Sequence, residues 1–464
     1  MVCAAKCPEL KMKIFRRQFR IGLCFLLVFS GMAARAKSSG NSPNILIILA
    51  DDLGFADLSS YGGKDLRTPH IDRFVREGMR FENFYACPVC SPTRASLLSG
   101  RFPEMVGVQG VIRTHAEDNF GYLSRDAVLL PKILQPAGYE TALIGKWHLG
   151  LESPNTPNER GFDFFHGFLG DMMDDYYTHL RFGFNYMRLN GQEISPPGHA
   201  TDLFTDWAID FLREHKKKKF FLYLPYNAPH DPIQPPPEWL EKVLQRAPGM
   251  ERKRARLVAL IEHLDDRIGR VLDELKKLGL EKNTLVIFLS DNGGSLGAGA
   301  HNGKLRNGKG TMYEGGLRVP AAIRWPGKIK AGSRSEEVLH VLDVLPTVAA
   351  VAGAKIENKI DGRSFLPLLR GETFSPPPRD LFWLKREAHA AQGEPIEAIR
   401  RGDWKLLSAK PGAKFELYNL KTDPFEKNNL ADSEPEKFKE LAGAMEAQRI
   451  IYKKIPWRSP AAIR

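Results

Sequence analysis

The 464-residue chain carries 67 Lys/Arg against 55 Asp/Glu, a formal charge of +12, with 43% hydrophobic and 26% charged residues. That length holds a large core and two or three domains of ordinary size. The balance of apolar and charged residues is that of a globular enzyme, and the sequence shows no internal repeat, coiled coil or low-complexity tail. Residues 1–36 stand apart. Lys11, Lys13, Arg16, Arg17 and Arg20 form a basic stretch, residues 21–32 are apolar, and Ala34-Arg35-Ala36 is a small-residue cleavage site. This is the pattern of a signal peptide, with Met12 as an alternative start. The apolar run is too short to span a bilayer comfortably, so no stable membrane insertion is expected. The protein is therefore expected to be exported, periplasmic or secreted, after cleavage near Ala36. Cys3, Cys7 and Cys24 leave with that segment, so Cys87 and Cys90 alone remain and no disulfide scaffold exists. Removing residues 1–36, with seven Lys/Arg and one Glu, leaves 60 basic against 54 acidic residues, or +6. That excess suits a polyanionic substrate.

Residues 44–50 are a continuous apolar, β-branched run, the pattern of a strand buried on both faces of a parallel sheet. Asp51-Asp52 follows at its C-terminal end, where open α/β sheets bind ligands. Paired carboxylates favour a cation between them; in isolation they read as an exposed turn. Residues 71–77 read as a helix closed by Gly78, with His70 and Asp72 as caps. The stretch Cys87-Pro88-Val89-Cys90-Ser91-Pro92-Thr93-Arg94 comes next. A cysteine-dependent phosphatase needs Arg six positions after Cys, but that position is Ser96. A thioredoxin-like pair fits two prolines poorly, and two buried thiols are the ordinary alternative. Residues 95–98 read as a helix whose N–H groups favour an anion.

A second buried strand, 139–144, leads to Lys146 and His148, which two-residue spacing turns to the same side. Residues 151–200 lack periodicity; Asp171, Asp174, Asp175, His179 and Arg181 are candidates there for substrate selection. A helix at 201–214 ends in a solvated Lys run at 216–219, which is not a nucleic-acid site. A third strand, 220–224, leads to Asn227-Ala228-Pro229-His230-Asp231-Pro232, whose prolines stiffen the loop that presents His230. Residues 235–237 read as a linker. Apolar residues from Leu257 to Leu275 recur at helical spacing before Gly279. His263, Asp265 and Asp266 on that helix read as structural. A fourth strand, 284–289, ends at Asp291-Asn292. Carboxylate and amide oxygens are hard ligands, so Asp51, Asp52, Asp291 and Asn292 can share one Ca²⁺ or Mg²⁺. Residues 303–310 approach the P-loop pattern, but Gly310 stands where Ser or Thr must hold magnesium. Sheet and helix continue through 319–325 and 338–345. Beyond Asp361-Gly362-Arg363, strands are expected at 397–400, 404–407 and 415–418.

The eleven residues from Cys90 to Gly100, Cys-Ser-Pro-Thr-Arg-Ala-Ser-Leu-Leu-Ser-Gly, resemble the sulfatase signature, whose cysteine is oxidised to formylglycine. Asn44–Gly54, Gly145–Gly150, Ala228-Pro229-His230, Ser290–Gly294, Gly308–Gly316 and Leu417–Glu426 resemble further sulfatase motifs, so the likeness runs from about residue 42 to about 440. The resemblance implies an alkaline phosphatase-like α/β fold. That fold is a large mixed, mostly parallel sheet sandwiched by helices, with a smaller C-terminal α+β domain carrying an antiparallel sheet. The expected division is 1–36 signal peptide, 37–355 catalytic domain and 356–464 C-terminal subdomain. The resemblance further implies Ca²⁺ (or Mg²⁺) on Asp51, Asp52, Asp291, Asn292 and residue 90, and a maturation enzyme as partner. It assigns Arg94, Lys146, His148, His230 and Lys309 to catalysis, with Lys304 competing for the role of Lys309. The implied reaction is sulfate-ester hydrolysis on a sulfated small molecule or glycan, by attack of hydrated formylglycine on sulfur. His230 or Lys309 protonates the leaving oxygen and His148 restores the aldehyde. The same residues also serve phosphonate or phosphate ester hydrolysis. An inactive exported glycan-binding protein is the remaining alternative.

Overall fold

The computed structural model describes residues 42–115, 119–387 and 394–458. The expected signal peptide lies outside these residues. A ten-stranded sheet forms the centre. Its strand order is Ser333–Ser335, Met79–Phe81, Ala321–Arg324, Thr284–Ser290, Asn44–Ala50, Phe220–Pro225, Glu140–Lys146, Phe164–Phe168, Met187–Leu189 and Gln192–Glu193. The five strands from Thr284–Ser290 to Phe164–Phe168 are parallel, and antiparallel strands flank them. Register is tight at the centre: Ile47 faces Ile287 on one side and Tyr223 on the other.

The period-2 pleat divides the core in two. Ile45, Ile47 and Leu49 join the layer containing Leu97, Leu98 and Leu345. Leu46, Ile48 and Ala50 join the layer containing the helices Pro69–Glu77, Ala200–Glu214 and Arg252–Lys277. Both faces are covered, which is why the central strands read as unbroken apolar runs. His263 and Asp265 both make contacts between helices. His263 Nε2 lies 2.8 Å from Asp202 Oδ1, and Asp265 accepts from the backbone N–H groups of Ile71 and His70 at the start of Pro69–Glu77.

A separate four-stranded antiparallel sheet follows, in the order Asp380–Lys385, Ile396–Arg401, Trp404–Ser408, Phe415–Asn419. One face packs on the helix Pro435–Tyr452 through Leu441, Met445 and Tyr452. The other packs on Tyr85, Met312, Tyr313 and Leu317. The expected mixed, mostly parallel sheet with a small C-terminal antiparallel sheet is thus the observed fold.

Four expectations need correction. His70 and Asp72 are not caps but lie inside the helix Pro69–Glu77, which Thr68 precedes as its cap residue. The helix after the cysteine pair is Cys90–Ser99 and so begins at Cys90 itself, not at residue 95. Pro92 falls in its first turn, where a backbone N–H has no helical partner to lose. Residues 235–237 are no linker, because Pro237 opens the helix Pro237–Arg246 as its first residue. The segment 151–200 contributes the parallel strand Phe164–Phe168, set against Glu140–Lys146. A Cβ at Gly167 would stand 2.0 Å from the Gly145 carbonyl oxygen, so this strand needs glycine where the two backbones meet.

Candidate active site

Four parallel strands end on one edge, and each delivers polar residues there. Asn44–Ala50 delivers Asp51 and Asp52, Glu140–Lys146 delivers Lys146 and His148, Phe220–Pro225 leads to His230, and Thr284–Ser290 delivers Asp291 and Asn292. Asp52 takes a positive φ of 67°, and its N–H donates to Asp291 Oδ1 at 3.1 Å. The helix Cys90–Ser99 lies with its first residue at this edge. Thr93 Oγ1 donates to the Asp291 carbonyl at 2.5 Å, which locks the helix to the strand end.

Arg94 is fully buried. Its Nη2 donates to Asp291 Oδ2 at 2.9 Å and lies 3.4 Å from Asp51 Oδ2, while Nη1 donates to the Lys146 carbonyl at 3.0 Å. Lys146 Nζ bonds Asp51 Oδ2. Lys309 Nζ donates to Asp52 Oδ2 at 2.6 Å and lies 3.0 Å from His230 Nε2. Cys90 Sγ, a nitrogen of His230 and one oxygen each of Asp51 and Asp52 all lie within 4.8 Å of one another. The ten residues assigned to catalysis or to the cation, Asp51, Asp52, Cys90, Arg94, Lys146, His148, His230, Asp291, Asn292 and Lys309, are brought to this edge. Lys304, the competitor of Lys309, lies instead over the Phe425 ring at 5.9 Å.

Burial and charge set the protonation states. Burial alone would raise Asp51, but Lys146, His230 and Arg94 outweigh it and hold the carboxyl far below the usual range. Burial, with the Asp51 charge beside it, pushes Asp291 up to about 8. Burial pushes the Cys90 thiol up to about 12, so an unmodified Cys90 is a poor thiolate nucleophile. Burial, with Lys146 and Arg94 nearby, holds His148 well below its ordinary value. Burial and Lys309 lower His230 as well.

The donor set fits a hard divalent cation. Asp51 Oδ1 and Asn292 Oδ1 are buried oxygens with no hydrogen-bond partner. Both are ligand atoms that Ca²⁺ or Mg²⁺ accepts, and Asp52 and Asp291 stand beside them.

Several residues of the site carry no sequence signal. Ser91 Oγ accepts from the Ile112 N–H at 3.0 Å, and the Ile112 carbonyl lies 3.0 Å from His148 Nε2. Arg113 therefore borders the site, and it pairs with Glu387 at 2.6 Å. Lys385, from the C-terminal sheet, donates to the Gly310 carbonyl at 3.2 Å, one residue beyond Lys309. Tyr176 OH donates to the His230 carbonyl at 3.0 Å. Of the selection candidates, Asp175 accepts from the Tyr177 and Thr178 N–H groups and from Gln234 Nε2, and His179 Nε2 meets the Gly198 carbonyl. Arg181 pairs with Asp171 and Asp174, and Asp171 reaches Thr114 beside Arg113.

Comparison with known proteins gives the family. The Sulfatase family profile matches residues 43–354, and the profile "N-sulphoglucosamine sulphohydrolase, C-terminal" matches 307–452. N-acetylgalactosamine-6-sulfatase of Mus musculus is 33% identical, covering 82% of this chain and 74% of its own. Arylsulfatase J of the same organism is 31% identical, covering 88% and 76%. Among solved structures, Ps i-CgsB in complex with k-i-k-neocarrahexaose superposes with a TM-score of 0.81 at 32% identity, over 91% of this chain and 96% of its own. BT4656, in complex with its substrate D-glucosamine-2-N,6-O-disulfate, has a TM-score of 0.72 at 26% identity, over 90% and 100%. With the family profile spanning most of the chain, the protein belongs to the sulfatase family and is a sulfuric ester hydrolase.

Proposed function

We propose that this enzyme is exported and hydrolyses sulfate esters on a sulfated saccharide, using formylglycine made from Cys90 by a maturation enzyme and a bound Ca²⁺. The convergence of Cys90 Sγ with the Asp51 and Asp52 carboxylates carries the reading. The sulfated saccharides of related structures support the substrate class. Asp51, Asp52, Asp291 and Asn292 would hold the cation, which supplies positive charge beside residue 90. Oxidised and hydrated, residue 90 would supply the nucleophilic hydroxyl.

The chain's own residues do the rest. Arg94, Lys146 and Lys309 are buried or nearly so, and they concentrate positive charge where sulfate oxygens gain negative charge. Backbone contacts set the histidine tautomers. His230 Nδ1 donates to the Asp231 carbonyl at 2.7 Å, so Nε2 is the acceptor facing the Lys309 ammonium. The proton for the leaving oxygen is thus held between Lys309 and His230. His148 Nε2 donates to the Ile112 carbonyl, which leaves Nδ1 as a buried acceptor without a partner. That nitrogen takes the proton that must leave residue 90 when the aldehyde is restored.

The test is the mass of the tryptic peptide 81–94 from protein made with its maturation machinery, with rates on matched aryl sulfate and phosphate esters. An aldehyde at residue 90 and faster sulfate hydrolysis support the reading. A free thiol in fully active protein refutes the nucleophile, and faster phosphate hydrolysis refutes the ester class.

A further inference from the structure

A cavity of about 460 Å³ opens beside the His230 loop, lined by Asp231, Ile233, Arg252, Lys253, Arg256 and Ala298 among others. Its size lies within the roughly 300–1,000 Å³ of small-ligand sites. Three of these six residues are cations. Among the described residues none of the three forms an ion pair, whereas Arg254 between them is paired twice, with Asp57 and Asp65. Arg256 uses Nε on the Ile233 carbonyl at 2.9 Å, which fixes the guanidinium at the cavity wall. Arg252 and Lys253 open the helix Arg252–Lys277 behind its cap Glu251, whose carboxylate is engaged by the Lys253 and Arg254 N–H groups at 3.1 and 3.2 Å. Cations at that end work against the helix dipole, so they do not serve the helix. Three cations thus line one concavity with a single carboxylate, Asp231, while Glu251 beside them is spent on the helix cap.

The cavity shares two of its loops with the active site. Asp231 is the chain neighbour of His230, and its carbonyl receives His230 Nδ1. Ala298 belongs to the loop that leaves Asn292, and Gly294 of that loop accepts from the Lys309 N–H at 3.1 Å. The wall also carries apolar Ile233 and Pro232, which suit the C–H face of a sugar ring.

We infer that this cavity is a second saccharide subsite, which binds a sulfate or carboxylate substituent on the sugar unit next to the one being desulfated. Arg252, Lys253 and Arg256 take the anion and Asp231 accepts from a sugar hydroxyl. The inference rests on the sulfatase reading and specifies its substrate as a saccharide with at least two anionic groups.

The test uses an Arg252→Gln, Lys253→Gln, Arg256→Gln variant. All three side chains are exposed, so the fold is expected to persist, and the melting temperature checks it. Binding of a disulfated disaccharide and its monosulfated counterpart is measured by calorimetry on a Cys90→Ala background. The dissociation constant of the disulfated compound is expected to rise about tenfold, the loss of three screened charge contacts, and that of the monosulfated compound to stay the same. Equal effects on both compounds, or on neither, overturn the subsite. A disaccharide carrying one sulfate and one carboxylate tells which anion the cations prefer. Turnover of a small aryl sulfate by the matured protein reads the reaction separately. Its absence refutes the hydrolase reading, and its preservation in the triple variant shows that the cavity acts on substrate selection alone.

Discussion

Lys405 is a buried residue through which the C-terminal sheet is keyed to the lysine loop of the active site, and replacing it by Met tests that link. The side chain is fully buried, and its Nζ donates to Glu314 Oε1 and Glu426 Oε1, each at 2.8 Å. Glu426 Oε2 in turn accepts from the Glu314 N–H at 2.7 Å, which heads the short helix following Lys309. Each ion contact at that distance is worth about 6 kcal/mol at an effective dielectric of roughly 20. Desolvation of the three ions offsets most of this, and removing one partner of such a network costs about 3–5 kcal/mol. Lys405→Met is therefore expected to lose that amount in urea unfolding at pH 7. The sign of its pH dependence follows. In the wild type, burial would raise Glu314, but Lys405 and Arg400 outweigh it and hold the carboxyl down at about 2. Without Lys405 two buried carboxylates face each other, so the fold keeps a proton that the unfolded chain loses above 4.5. The variant's stability should then fall as pH rises from 5 to 8, with the deficit shrinking toward pH 5. Adding Glu426→Gln should return part of the loss. A deficit below about 1 kcal/mol, or one independent of pH, would refute the reasoning.

Cys90→Ala should abolish turnover while leaving the melting temperature within a few degrees of wild type; undiminished turnover would remove residue 90 from the chemistry. Exhaustive chelation should lower turnover by about tenfold or more, and added Ca²⁺ should restore it; unchanged rates in metal-free protein would exclude the cation. Burial pushes Glu104 from 4.5 up to about 8, so between those values the fold holds a proton that the unfolded chain has lost, and stability falls as pH rises. Glu104→Gln should remove that slope and stabilise the protein above pH 8 by at most about 5 kcal/mol; equal stability changes at pH 5 and pH 8 would contradict it.

Much of the site was legible because its residues leave the ends of buried parallel strands. Such strands read as continuous runs, as Asn44–Ala50 and Thr284–Ser290 do, and the polar residue that breaks each run marks the ligand edge. Cys90 and Arg94 were legible as one local motif. The start of their helix was not, since Pro92 masks a helical turn that tolerates it. Phe164–Phe168 was missed because His166 and Gly167 interrupt its apolar pattern. The helix Pro435–Tyr452 buries only Leu441, Met445 and Tyr452, too few for a periodic stripe. Lys385, Arg113 and Tyr176 reach the site through contacts far apart in sequence, which no local spacing encodes.

The two histidines give the sharpest remaining division of labour. They have opposite tautomers, each fixed by a backbone carbonyl: His148 at Nε2 by Ile112, and His230 at Nδ1 by Asp231. Burial keeps both rings neutral near pH 7. His148 therefore offers a vacant lone pair, whereas the His230 lone pair is already engaged by Lys309. Removing them should damage different steps. His230→Ala weakens proton delivery to the departing alcohol, so its rate should depend more steeply on the alcohol's pKa than wild type. His148→Ala spares that step and blocks proton removal from residue 90. In rapid-quench experiments it should release a single equivalent of alcohol and then turn over about 10²–10⁴-fold slowly. His230→Ala should show no such burst. A burst in both variants, or in neither, would mean that the tautomers set by Ile112 and Asp231 do not assign the roles. The two side chains would then have to exchange protons through a path that their present hydrogen bonds do not provide.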